Sequence, residues 1–290
     1  MNGELGIDLQ AFVKRMYYSL LYNSTFFNFL NENYIGEVRQ TGAPIIEVIK
    51  SNNVSVNVRS TAEIGSALDP SLTTYGSVKV DLTELAMDYS LRVPVSIMGS
   101  DITNALQDAI DQKDSAIAKQ IDTYGYSVLK GNVSTAKQWN PSNAGDTIKL
   151  LNECRATLFN NDVYGDYRIG LGATEYAKYV TDLTSVLKYE TLAGVEGVDR
   201  GIIARAYGVD AFEINDNYIN PTVDGHAETV VGYFFNPVAV VGDTFFSSFL
   251  QSATDLRYPG YYVMSGNVLF GAKVVRGEAI IKLQSGAVSS

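Results

Sequence analysis

Residues 99 to 131 carry the longest periodic stretch of the chain. Ile102, Ala105, Leu106, Ala109, Ile110, Ala116, Ile117, Ile121, Tyr124 and Val128 recur at steps of three and four, with Asp108, Asp111, Gln112, Asp114, Lys119 and Gln120 mostly between them. That spacing predicts one long amphipathic helix. Ser100 or Asp101 suits its N-cap, Lys130 its carbonyl end and Gly131 a left-handed exit. About 29 helical residues reach ~43 Å, longer than a small compact domain needs. Extended structure must therefore lie along the rod.

The sequence before it alternates between two periods. Ile7, Leu9, Phe12, Val13, Met16, Tyr17, Leu20 and Leu21 have helical spacing and lead to the aromatic cluster Phe26, Phe27 and Phe29. This is an arm that packs either on the rest of its own chain or on a neighbour. From Pro44 the pattern is that of strands. Ile45, Ile46, Val48 and Ile49 precede a turn at Ser51-Asn52-Asn53, and Val54, Val56 and Val58 then alternate with polar residues. Val78, Val80 and Leu82 alternate again, as do Tyr89, Leu91, Val93, Val95 and Ile97. The simplest drawing is a long two-stranded excursion with its tip near 60 to 76, returning directly into the long helix. Such a hairpin has one thin apolar face and needs another surface for stability.

After the helix the chain reads as α+β. A second helix is predicted from about 146 to 159, with Ile148, Leu151, Cys154 and Leu158 on its apolar side and Asn160-Asn161-Asp162 as its stop. A strand at 167 to 171, a short helix at 174 to 180, mixed helix and loop at 183 to 207, and strands at 209 to 214 and 230 to 235 follow. A short apolar segment at 238 to 241 opens a loop-rich region containing Phe245, Phe246, Phe249, Tyr258, Tyr261 and Tyr262. One long strand from 272 to 283 closes the chain before a polar tail, 284 to 290.

Composition limits the chemistry. The 290 residues are 46% hydrophobic and 19% charged, an ordinary globular mix large enough for a sizeable core. Nineteen Tyr and 12 Phe against one Trp favour large packed surfaces or subunit contacts. A net charge of -10 argues against tight binding to phosphate backbones, which requires clustered Lys and Arg. The single cysteine, Cys154, excludes an intramolecular disulfide and a multi-cysteine zinc site. No apolar run approaches a membrane span, and Glu4 and Asp8 stand where a secretory signal would be basic.

No enzyme emerges from the residues. The lone histidine, His226, lies in the polar run Asp224-Gly225-His226-Ala227-Glu228, which reads as an exposed turn. Cys154 falls on the apolar side of its helix and reads as core rather than nucleophile. Gly170-Leu171-Gly172 and the cluster Gly194 to Gly201 fit neither a dinucleotide fingerprint nor a P-loop, and read as loops. Asp108, Asp111 and Asp114 read as a solvated helix face. Catalytic, cofactor-binding and metal-ligating residues are accordingly none, and no cofactor is expected.

The order of these parts resembles the major capsid proteins of tailed bacteriophages with the HK97-like fold, over nearly the whole chain. Residues 86 to 101, Ala-Met-Asp-Tyr-Ser-Leu-Arg-Val-Pro-Val-Ser-Ile-Met-Gly-Ser-Asp, look like the family's return strand into its spine helix. Residues 201 to 212, Gly-Ile-Ile-Ala-Arg-Ala-Tyr-Gly-Val-Asp-Ala-Phe, are similar to its helix, glycine and strand entering the axial domain. The resemblance implies an α+β capsid fold in five parts. These are an N-terminal arm (1-43), an E-loop with flanking strands (44-98, the loop itself at about 54 to 82), a peripheral domain (99-208) with spine helix 100-130, an axial domain (209-268), and a closing peripheral-domain strand and tail (269-290).

It implies a non-enzymatic structural role: self-assembly as pentamers and hexamers into an icosahedral or prolate shell around phage double-stranded DNA. Expected partners are a portal, a separate scaffolding protein, a decoration protein and non-specific contact with packaged DNA, with no membrane. The place of action is then the virion, assembled in the bacterial host cytoplasm. Some relatives crosslink through a Lys and an Asn, but nothing here selects such a pair. An encapsulin-like nanocompartment shell, or a soluble α+β enzyme or binding module using the Tyr-rich segment 245 to 262, are the alternatives.

Overall fold

A computed structural model describes residues 9–34, 44–52, 74–94, 102–143, 145–186, 202–206, 208–252 and 261–285. The first elements are helix α1 (Leu9–Asn23), a short 3-10 turn (Thr25–Phe29) and strands β1 (Ile45–Asn52), β2 (Thr74–Asp81) and β3 (Leu85–Pro94). The long periodic stretch forms α2 (Ile102–Asn132), whose 31 residues span about 46 Å. Then come β4 (Ala136–Gln138), α3 (Asp146–Asn160), β5 (Tyr167–Gly172), α4 (Ala173–Val186), β6 (Ile202–Ala206), β7 (Val209–Ile214) and α5 (Asp216–Ile219). The last strands are β8 (Val230–Phe235), β9 (Val240–Ser252), β10 (Tyr261–Val274) and β11 (Ile280–Gln284).

Three sheets organise the chain. A mixed six-stranded sheet has the order β4-β11-β8-β5-β7-β6, with β4–β11 and β5–β7 parallel. Its inner strands are largely buried, and β11 is buried at every position, Lys282 and Gln284 included, as expected for strands covered on both faces. A three-stranded antiparallel sheet, β3-β10-β9, lies along α2, and β1 pairs with β2 in a separate antiparallel ladder from Ile45↔Asp81 to Asn52↔Thr74. One continuous core joins α1, the 3-10 turn, α2 and the two larger sheets, and a satellite core of Ile46, Val48, Val80, Leu82 and Val241 lies under the hairpin stem.

Several expectations change. The expected helix through residues 202 to 206 is strand β6, folded back on β7 across Gly208 at φ 74°. A tight reversal with a left-handed corner suits glycine and ends the strand where a helix would have continued. Gly170 and Gly172 are not loop residues but lie in β5; a Cβ on Gly170 would stand 2.7 Å from Ile214 and 2.8 Å from Phe212 of the neighbouring β7. The region around Phe245, Phe246 and Tyr261, expected to be loop-rich, is mostly the paired strands β9 and β10. Tyr258 and the Gly194–Gly201 cluster lie outside the described residues, as does the excursion between β1 and β2.

The expected closing strand is divided. β10 ends at Val274, a 3-10 turn (Gly277–Ala279) intervenes, and β11 enters the other large sheet. The return strand β3 pairs with β10 and not with the hairpin. Gly131 does not take a left-handed exit but remains inside α2, where Asn132 Nδ2 donates to the Val128 carbonyl at 2.8 Å. The expected division at 208/209 also cuts the six-stranded sheet, because β5 pairs with both β7 and β8.

Candidate assembly surface

The arm is seated on its own chain. After α1, whose Met16 and Leu20 are buried, the 3-10 turn drives three phenylalanines into the junction between α2 and the two larger sheets. Phe29 stacks on Phe235 at 4.1 Å between centroids and meets Tyr126, Phe212 and Tyr233 edge-on. Phe26 meets Tyr126 and Phe270 edge-on at 5.6 and 6.0 Å. Edge-to-face and offset contacts of this kind add specificity to the area they bury. The Phe26 ring occupies the space above Gly125, where any Cβ would collide with it. A glycine inside a helix is otherwise unfavourable, so this close approach accounts for it.

Asp122 of α2 fixes the turn. Its Oδ1 accepts from Ser24 Oγ at 2.5 Å and the Phe26 amide at 3.0 Å, and its Oδ2 accepts from the Thr25 amide at 3.3 Å and Thr25 Oγ1 at 3.1 Å. The carboxylate thus satisfies donors at the N-terminus of a turn that has no cap from its own N-cap side chain. Burial still pushes the Asp122 carboxyl above its usual range, against the pull of those donors. Arg168 secures the other end, donating to the Asn28 carbonyl and pairing with Glu32 at 3.1 Å. Of the two homes left open for the arm, the described part adopts the one on its own chain.

The hairpin stem has two unlike faces. Ile46 and Val48 point into the satellite core, while Ile45 and Ile49 stand 46% and 67% exposed on the other side, across from Asp81 and Ser77. At its base the stem crosses β10 so closely that a side chain on Gly271 would strike the Asp81 carbonyl. Further large apolar groups are exposed: Tyr18 and Tyr22 on the outer side of α1, and the edge-on pair Phe159 and Tyr164 at the end of α3. Tyr22 is 84% exposed.

The residues weighed for chemistry are otherwise engaged. Cys154 is buried in the core, and burial pushes its thiol up to about 12, far from a reactive thiolate. His226, expected on an exposed turn, is half-buried; its Nδ1 lies 3.2 Å from Glu228 Oε1. Glu228 also accepts from the buried Lys282, which holds its carboxyl down to about 2. Lys282 additionally donates to the Lys130 carbonyl, and Lys130 Nζ to Asn220 Oδ1 at 2.7 Å, so this cluster ties the end of α2 to β11 and the loop before β8.

In an open depression lined by Ala173, Glu213, Asn215, Asp216 and Asn217, two of the polar side chains cap backbone: Asp216 accepts from the Thr174 amide and hydroxyl, and Asn215 from the Asn217 amide. Among the described residues no three His, Cys, Asp or Glu side chains stand together as a metal site, and no helix is long and apolar enough to cross a membrane.

The expected acidic face is corrected. Asp108 and Asp111 are exposed, but Asp114 is 1% exposed beneath α1, and Ala116, assigned to the apolar side, faces out. Because α1 and two sheets cover α2 from different sides, the buried sector is wider than a single stripe and includes carboxylates. Asp122 and Gly125 escaped the sequence reading. Their signals were a polar residue next to Ile121 and a glycine inside an otherwise helical period.

No protein-family model and no curated protein matches the chain. Solved structures do. A chain of Mycobacterium phage Che8 superposes with a TM-score of 0.58 at 15% identity, over 90% of each chain. The capsid of cyanophage P-SCSP1u gives 0.56 at 15% identity over 85% of this chain and 84% of that one, and the capsid of Ralstonia phage GP4 gives 0.55 at 9% over 85% and 84%. The chain therefore has the fold of phage capsid proteins, the HK97-like fold, from near one end to the other.

Proposed function

We propose that this chain is a major capsid protein of a tailed bacteriophage, a structural subunit that assembles with copies of itself into a closed shell around double-stranded DNA. The observation that carries this is the extent of the fold match, which covers both partners almost completely. The exposed Ile45, Ile49, Tyr18, Tyr22, Phe159 and Tyr164 support it as groups that neighbouring copies would cover. Net negative charge fits a shell that holds DNA without gripping it.

In this reading α2 is the spine helix and the β1–β2 stem is the root of the E-loop. The peripheral domain follows α2 and the three-stranded sheet, and the axial domain follows the six-stranded sheet with α3 and α4, a division that replaces the boundary at 208/209. The partners in this reading are copies of itself as pentamers and hexamers, a portal, a separate scaffolding protein and, where the shell carries one, a decoration protein; the virion is its location, with assembly in the bacterial cytoplasm. Sedimentation velocity of the purified chain tests the reading. Capsomers of five and six copies, or particles larger still, are expected; a well-folded monomer persisting at high concentration overturns it. Co-purification of an enclosed enzyme without portal or tail proteins would point to a nanocompartment shell instead.

A further inference from the structure

Asp114 and Asp122 lie two turns apart on α2, and both are covered by the N-terminal segment. Asp122 meets its buried surroundings with four donors. Asp114 does not. Its Oδ1 is fully buried with no hydrogen-bond partner among the described residues, although Ser19 of α1 hydrogen-bonds to the carboxyl group.

The charged and titratable neighbours come from three elements. From α1 comes Arg15, from α2 itself Asp111, and from β3 the buried phenol of Tyr89. Arg15 and Asp111 are 3.9 Å apart with side chains 58% and 59% exposed, so water screens the cation that, among the described residues, could offset a charge on Asp114. Asp111 is a like charge, and the Tyr89 phenol is itself pushed upward by burial and by the two carboxylates.

We propose that the contact between α1 and α2 is an acid-stabilised latch, in which a protonated Asp114 holds α1 closed on the long helix and its ionisation loosens the arm. The neutral acid is compatible with a buried, partly satisfied site; the carboxylate leaves an unpaired charged oxygen at the interface. Burial, the largest cause, raises the Asp114 carboxyl from 3.8 to about 6. A raised carboxyl favours the closed form in its protonated state, so the contribution is fully present below about pH 4 and is lost as the pH rises through about 6. The outer side of α1 carries the exposed Tyr18 and Tyr22, so the latch governs how firmly that ridge is held against the body.

Amide hydrogen exchange on the whole chain, corrected for intrinsic rates, tests this over residues 16 to 23. Protection should fall about tenfold more between about pH 5 and about pH 7.5 in the wild type than in Asp114→Asn. The variant keeps the dependence from Asp122, whose carboxyl is shifted in the same direction, so the comparison reads the Asp114 contribution alone. An identical pH dependence in both proteins overturns the latch. A carboxyl-carbon NMR titration of the wild type provides a second reading that needs no variant to fold: a midpoint at about 6 for Asp114 supports the latch, and one at its ordinary value of 3.8 overturns it.

Discussion

The six-stranded sheet and the hairpin stem are made of similar apolar residues and have opposite needs. In the sheet, β5, β8 and β11 are covered on both sides, and their side chains join the main core with the three phenylalanines of the arm. In the stem one side is covered, where Ile46, Val48, Val80 and Leu82 form a small core with Val241, and on the reverse Ile45 and Ile49 are exposed. The first region satisfies itself. The second is half a contact, and an isolated pair of strands is marginal without a surface to lie on. If the chain assembles as proposed, the stability of the folded subunit and that of the assembly should therefore reside in different residues.

Substitutions separate the two. Phe29→Ala empties the centre of the aromatic junction and should lower folding stability by about 3–5 kcal/mol, read from chemical denaturation of the unassembled chain. Gly125→Val places a branched side chain where the Phe26 ring lies and should cost about 3 kcal/mol, with loss of the arm's protection from proteolysis. Asp122→Ala leaves the Ser24, Thr25 and Phe26 donors unpaired and should cost about 2 kcal/mol, measured the same way. The smallest effect on folding is expected from Ile49→Lys, within about 0.5 kcal/mol. That variant should nevertheless fail to form capsomers or shells by sedimentation. A stability loss comparable with that of Phe29→Ala, or normal assembly, would remove the distinction between the two regions.

How much of this was legible depended on how many neighbours each segment has. α2, α3, β7 and β8 follow their own period because each presents a consistent face, and the arm's aromatic cluster was visible as Phe26, Phe27 and Phe29. β6 was read as helix because Ile-Ile-Ala-Arg-Ala has no alternation; pairing with β7 decides its form. β9 and β10 looked like loop because Phe, Ser and Gly are intermixed and each strand draws stability from a partner more than ten residues away in sequence. β10 and β11 looked like one strand because apolar alternation continues through Gly277, where the chain changes sheets. Asp114 reads as solvent-facing because a carboxylate is rarely buried, and Asp122 stands out only as a polar residue next to Ile121; the burial of both follows from the arm folding back over α2, a long-range contact without a local signal. The seat at Gly125 was hidden for the same reason.

The central claim is that the exposed face of the hairpin stem is completed by another copy of this chain in a closed shell. A cryo-electron microscopy reconstruction of the assembled protein tests it directly. The account predicts closed particles built from five- and six-copy capsomers, with Ile45 and Ile49 buried against an adjacent copy and the long helix intact in every one. Particles in which those two side chains face solvent, or a purified protein that forms no particles and remains a folded monomer, would contradict it.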